Sequence, residues 1–210
     1  MMAKMKRIYL FLGFERLWHW TQVLLCLGLV ITGFNMHGVW HVADFKTAWY
    51  WHTRFGWALA ILFAIEIFWL LTTGQWKNYV PTTQKIKDVA MYYAVGIFKG
   101  EPHPYHPHDA YSKLNPLQRL AYLGIQVVLV PLMVITGLLM IYYNHWPEWG
   151  LGFRLGPISL LHLIGAFLVL MFVIGHIYLT TTGHTWYAHI LAMITGWEEI
   201  PAEEGELETA

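Results

Sequence analysis

Four long apolar runs, separated by polar or aromatic connections, set the pattern of this 210-residue chain. They cover about residues 17–36, 52–73, 120–143 and 157–182. Each is close to the twenty residues with which an α-helix crosses a hydrocarbon core of about 30 Å. The pattern predicts an all-α membrane protein, a four-helix transmembrane bundle over residues 1–197 with an acidic tail at 198–210. Pro131 lies inside the third run and predicts a kink there. The connection 37–51 is short and rich in Trp and Tyr, and another loop holds Trp146, Pro147 and Trp149, as expected where a chain meets lipid headgroups. The longest connection runs from Gly74 to Pro116. Its first half predicts an interfacial amphipathic helix around 86–98, and its second half contains the Pro- and His-rich stretch HPYHPH at 103–108.

Charge orients the spans. Lys4, Lys6, Arg7 and Arg16 precede the first run, and Lys77, Lys85, Lys87, Lys99, Lys113 and Arg119 lie in or beside the 74–116 connection. The opposite loops, with the start of the second span, hold only Lys46, Arg54 and Arg154. By the positive-inside rule both termini and the long connection face the cytoplasm of a multi-pass membrane protein. No small-residue cleavage site follows Gly33, so the first run reads as an uncleaved span.

Composition agrees with this picture and narrows the chemistry. Hydrophobic residues make up 57% and charged residues 12%, with a formal net charge of zero that gives no reason to expect nucleic acid. The single cysteine, Cys26, lies in an apolar run, so no disulfide forms within the chain. There is no C-x-x-C-H motif, and any haem is held by side-chain ligands alone.

Histidine is the residue type that departs from packing. His162 and His176 lie fourteen positions apart in the fourth run. That separation turns a helix through about 1400°, almost four revolutions, and places both imidazoles on one face about 21 Å apart. Polar rings at those depths need partners, and two stacked sites on one helix suggest a dihaem b-type cytochrome. Depth sorts the pairs: His52 with His162 towards the periplasm, His19 with His176 towards the cytoplasm. Bis-imidazole ligation of haem iron needs such pairs facing one another across adjacent helices. Gly28, Gly33, Gly165 and Gly175 are candidates for close approach of the macrocycle. The competing explanation is hydrogen-bonded packing between helices. The remaining histidines read as interfacial or loop residues, and most of the tryptophan as interfacial belt.

A weak internal echo accompanies the ligands. Span 1 ends in VITGF and span 3 contains VITGL; span 2 ends in LLTTG and span 4 in LTTTG. Either a two-helix duplication or small residues placed for helix packing produces this.

The chain resembles the dihaem cytochrome b subunits of formate dehydrogenases, nickel–iron hydrogenases and thiosulfate-reductase-type complexes, the prokaryotic cytochrome b561-like proteins. The residues that carry the resemblance are FERLWHW at 14–20 with His19, His52 opening span 2, NPLQR at 115–119, His162, and GHIYL at 175–179 with His176. The resemblance implies two b haems, a quinone site near the cytoplasmic one, and a periplasmic partner that is an iron–sulfur protein or a multihaem cytochrome c. It also places the chain in the inner membrane of a bacterial or archaeal cell. The HPYHPH stretch and the acidic tail fall outside that pattern.

The expected function is therefore an electron-transfer subunit rather than a stand-alone enzyme, linking a periplasmic redox partner to quinone. Asn115 and Gln118, amides at the cytoplasmic edge of span 3, are the candidate quinone ligands. Helix capping alone accounts for Asn115 and leaves Gln118 unassigned. Glu66, at about the depth of His176, is a weaker candidate for relaying protons. Two other classes fit parts of the pattern: a small transporter or metal permease using the intramembrane His and Glu66, and a passive membrane anchor.

Overall fold

The computed structural model describes residues 5–107 and 111–201. Four helices are long and apolar enough to cross a membrane: α1 (Gly13–Met36), α2 (Phe45–Thr73), a third span over Pro116–Ile141, and α7 (Leu155–Thr180). Their most apolar windows have mean hydropathies of 1.5 to 2.5. Between α2 and the third span lie α3 (Ile86–Met91), a π-turn (Tyr92–Gly96) and α4 (Ile97–Lys99), so the helix expected around 86–98 is present. The third span itself comprises α5 (Pro116–Gly124), a π-turn (Ile125–Leu129) and α6 (Val130–Ile141). Proline cannot donate to the helical ladder and its ring crowds the carbonyl four residues back. The irregularity expected at Pro131 is thus taken up in the turn before it, where the ladder widens.

The chain divides into two compact units. The helical unit, 17–73 and 126–172, holds parts of all four spans. Its side chains are arranged inside out compared with a water-soluble bundle. Leu24, Ile61, Phe68, Val127, Leu160 and Met171 are exposed, while Asn35, Glu66, Thr136 and Gly165 are buried. Outward apolar and inward polar residues suit a hydrocarbon solvent. Polar side chains also tie down the ends of the spans. Asn35 accepts the N–H groups of Val42 and Ala43 and donates to the Ala43 carbonyl. Asp44 accepts from the N–H and hydroxyl of Thr47 in the first turn of α2, which holds its carboxyl below the usual range. Trp40 and Trp146 donate their indole N–H groups to the carbonyls of Ile31 and Leu139. Trp146 is buried, so it is a strut rather than one of the interfacial tryptophans.

The end unit gathers the N-terminal stretch to Arg16, residues 74–125 and the chain from Val173 onward. It contains an element the hydropathy pattern did not predict. Strand β1 (Met5–Tyr9) pairs antiparallel with β2 (Trp197–Pro201), in register Met5↔Pro201 to Tyr9↔Trp197. The beginning of the expected acidic tail is therefore strand, and the rest of that tail lies outside the described residues. The ribbon leaves α8 (Ala188–Thr195) through Gly196, whose φ of 91° suits glycine and whose carbonyl accepts from Leu10 and Phe11. Arg16 donates to the Ile194 carbonyl, and Lys113 pairs with Glu15. Burial pushes the Lys113 amine below its ordinary range while Glu15 opposes that shift. The N-terminal stretch, the long connection and the residues after α7 thus pack within one compact unit.

Candidate functional site

His52 on α2 and His162 on α7 face one another in the helical unit, with ring centres 6.4 Å apart and ring planes at 71°. Each imidazole is held by a threonine of a different helix. Thr32 Oγ1 on α1 lies 3.0 Å from Nδ1 of His52, and Thr136 Oγ1 on α6 lies 2.8 Å from Nδ1 of His162. The single proton of each hydroxyl is directed into its own helix: Thr32 donates to the Gly28 carbonyl at 2.6 Å and Thr136 to the Leu132 carbonyl at 2.6 Å. With that proton committed, the hydroxyl oxygen accepts, so Nδ1 of each histidine carries the hydrogen. Both lone pairs are then on Nε2, the state of a metal-ligating imidazole whose far nitrogen is fixed by an outer partner.

The residue after each threonine completes the arrangement. A Cβ built on Gly33 comes within 3.4 Å of the His52 ring, and one on Gly137 within 3.4 Å of the His162 ring. The glycines let the rings lie against the neighbouring backbone. The VITG echo is thus two copies of one device, in which a Thr-Gly step on spans 1 and 3 seats a histidine on spans 2 and 4. Thr32, Thr136 and Gly137 were not singled out from sequence, although the repeat that contains them was visible. Two expected porphyrin-facing glycines have other neighbours. Gly28 lies under the Phe55 ring, within 2.6 Å of a Cβ position, and Gly165 lies under the Met133 sulfur.

The other predicted residues are placed as follows. His19 is on α1 in the helical unit, edge-on to Trp20 with ring centres 5.2 Å apart. His176 is on α7 in the end unit, where the Tyr122 hydroxyl lies 3.5 Å from its Nδ1. Glu66 is buried in the helical unit and accepts a hydrogen bond from the Gln126 side chain, a partner supplied by the π-turn. Asn115 and Gln118 form a reciprocal capping box at the start of α5. Asn115 Oδ1 accepts the Gln118 N–H at 2.9 Å, and Gln118 Oε1 accepts the Asn115 N–H at 3.0 Å. Capping therefore accounts for both side-chain oxygens, Gln118 included. Asn115 also donates from Nδ2 to the Tyr93 hydroxyl at 3.2 Å. Among the interfacial histidines, His145 meets Glu148 and stacks on Trp149, His184 meets Glu199, and His189 meets Glu198.

Residues 11–196 match the family model described as prokaryotic cytochrome b561. The chain belongs to the prokaryotic cytochrome b561 family. It is also similar to an Escherichia coli (strain K12) protein described as a putative cytochrome, YdhU, with 31% identity over 91% of this chain and 75% of that one. No solved structure matches it. Family membership makes the chain a multi-pass membrane b-type cytochrome, and the expected resemblance is confirmed at that level.

The residues fit the haem that the family implies. An imidazole nitrogen binds a transition-metal ion at about 2 Å, so two rings on opposite sides of one ion have centres roughly 6 Å apart. The 6.4 Å between His52 and His162 is of that size. Among the described residues no group of three or more His, Cys, Asp or Glu converges as a closed ion cage. His52 and His162 are the residues that would hold the haem iron, each through its Nε2.

Proposed function

We propose that this chain carries electrons across the membrane between a periplasmic redox partner and quinone, through two b haems. The observation that carries the reading is the doubled threonine–histidine arrangement, which readies two facing imidazoles for a metal. His52 and His162 hold the haem on the periplasmic side. His19 and His176 hold the cytoplasmic one, by their positions along oppositely running spans. Held between such pairs, haem iron would supply one-electron redox chemistry. The partner is an iron–sulfur or multihaem cytochrome c subunit at the periplasmic face.

The quinone binds at the cytoplasmic edge of the third span, beside Asn115 and Gln118. With both side-chain oxygens of the capping box engaged, Gln118 offers its Nε2 amide to a quinone oxygen. Asn115 shapes the site through the cap and through Tyr93. Lys and Arg concentrated on the end unit's segments support the cytoplasmic assignment of this end.

Adding a short-chain quinol to the purified, oxidised protein under anaerobic conditions tests the reading. The expected result is growth of the reduced b-haem absorption bands, slowed in Gln118→Leu while dithionite still reduces both haems. Haems that dithionite reduces but no quinol does would contradict the quinone assignment. A purified chain without haem bands would return the protein to the transporter or anchor classes.

A further inference from the structure

Residues 103–107 of the HPYHPH stretch, which the electron path does not use, join the cap of the third span through a chain of directed hydrogen bonds. His103 Nδ1 lies 2.7 Å from the Tyr105 carbonyl oxygen. The Tyr105 N–H also meets Nδ1, at 3.1 Å. Two lone pairs 2.7 Å apart would repel, so the closer carbonyl sets Nδ1 as the hydrogen-bearing nitrogen and Nε2 as the titrating one. Nε2 faces the Tyr93 hydroxyl at 3.3 Å, and that hydroxyl oxygen in turn accepts from Asn115 Nδ2 at 3.2 Å. The π-turn at Tyr92–Gly96 brings Tyr93 to this point and sets Tyr92 edge-on against His103, with ring centres 4.6 Å apart. Tyr92, Pro102 and Pro104 also line an open cavity of about 270 Å³ whose wall carries Asp88 and Glu101. His103 is half-buried, so part of its ring meets water, while its Nε2 faces Tyr93 beside the cap at Asn115. Tyr122, whose hydroxyl lies near His176, is an electrostatic neighbour of Tyr93.

We propose that His103 and Tyr93 form the proton relay between cytoplasmic water and the quinone oxygen at the Asn115–Gln118 site. The inference rests on the quinone reading above. Quinone reduction takes two electrons and two protons, and the electrons would come through the bound haems. His103 Nε2 first takes a proton from water; the Tyr93 O–H then gives its proton to a ring oxygen while its oxygen takes the one on His103 Nε2. A second passage supplies the second proton, and quinol oxidation runs the same transfers in reverse. The groups facing His103 are Tyr92 and Tyr93 on the π-turn, Tyr105 and His106 in the loop, and His189 on α8. Lys85 lies one residue away, donating to the Pro104 carbonyl. Burial, with lesser repulsion from His106 and His189, pushes the His103 ring below its ordinary range, so at neutral pH it stands ready to accept.

The test compares Tyr93→Phe and His103→Gln with the unaltered protein, all loaded with haem. Three quantities are read: binding of a short-chain quinone by equilibrium dialysis, quinol oxidation across pH, and recovery on adding free imidazole. The expected result is unchanged quinone binding with turnover at least about tenfold lower in both variants. The acid limb of the pH profile should vanish in His103→Gln, and imidazole entering the open cavity should restore that variant but not Tyr93→Phe. Normal turnover with the normal pH profile, or loss of turnover that imidazole leaves untouched in His103→Gln, would overturn the relay while leaving the quinone site standing. Quinone binding that Gln118→Leu leaves unaltered would remove the site itself and the relay with it.

Discussion

Thr136 Oγ1 stands 2.8 Å from Nδ1 of His162 while its own proton goes to the Leu132 carbonyl, so this hydroxyl can only accept from the histidine. Thr32 repeats the relationship with His52. Replacing either threonine by valine keeps the shape and removes the acceptor. Haem affinity at the His52/His162 site should fall about 10- to 100-fold, as for other outer-shell partners of metal-bound imidazoles. Redox titration should show one of the two haem components shifted in midpoint potential. An unchanged titration in both valine variants would mean that the threonines do not orient the ligands.

Glu66, buried in the helical unit, pairs with the half-buried Gln126 side chain. Glu66→Gln keeps an acceptor for the Gln126 amide. Glu66→Leu leaves that amide unpaired, at a cost of about 1–3 kcal/mol. Resistance to detergent unfolding, followed by loss of haem absorption on heating, should therefore drop markedly for Glu66→Leu and little for Glu66→Gln. Equal loss in the two variants would point to the charge rather than the hydrogen bond.

Gly196 closes α8 and receives β1. An added Cβ would lie 2.8 Å from the Phe11 carbonyl oxygen and 2.6 Å from the Tyr9 ring, at a φ of 91°. Gly196→Ala should destabilise the ribbon by about 1–3 kcal/mol. Faster amide hydrogen exchange at 5–9 and 197–201, with the spans unaffected, is the expected signature.

His103 should titrate below the ordinary histidine value of about 6.5. Between the two midpoints the unfolded chain binds more protons than the folded one, so this residue makes stability rise with pH across that window. Its contribution is complete above about 6.5 and is lost as pH falls through the folded midpoint. NMR of labelled histidine gives the midpoint, and His103→Gln should flatten the slope of stability against pH. A midpoint at or above 6.5 would contradict the buried, neutral ring.

The spans and ligand candidates were legible in the sequence because hydrocarbon imposes length and polarity rules that a linear pattern records. The fourteen-residue step from His162 to His176 needs only helical geometry. The partners of the ligands were harder to read. Thr32 and Thr136 sit in a visible repeat, but threonine in a membrane helix has a sufficient local explanation in bonding its own backbone, and only the fold brings a histidine to each. Gln126 and Tyr93 reach their partners from π-turns, which shift a side chain around the helix axis and leave no periodic trace. The β1–β2 ribbon joins residues almost two hundred positions apart through strands too short and exposed to show alternation. That Gln118 also caps the helix was missed because a capping box is reciprocal, and the second residue looks unassigned until the cap is seen.

The central claim is that His52 and His162 are two ligands of one haem in a protein that holds two. Pyridine haemochrome content, measured with the reduced-minus-oxidised spectrum, tests it in His52→Ala, His162→Ala and the double variant. The account predicts about two haems per unaltered chain and about one in each of the three variants, with the same spectral component missing every time. Loss of different components from the two single variants, or of both haems only in the double variant, would contradict it.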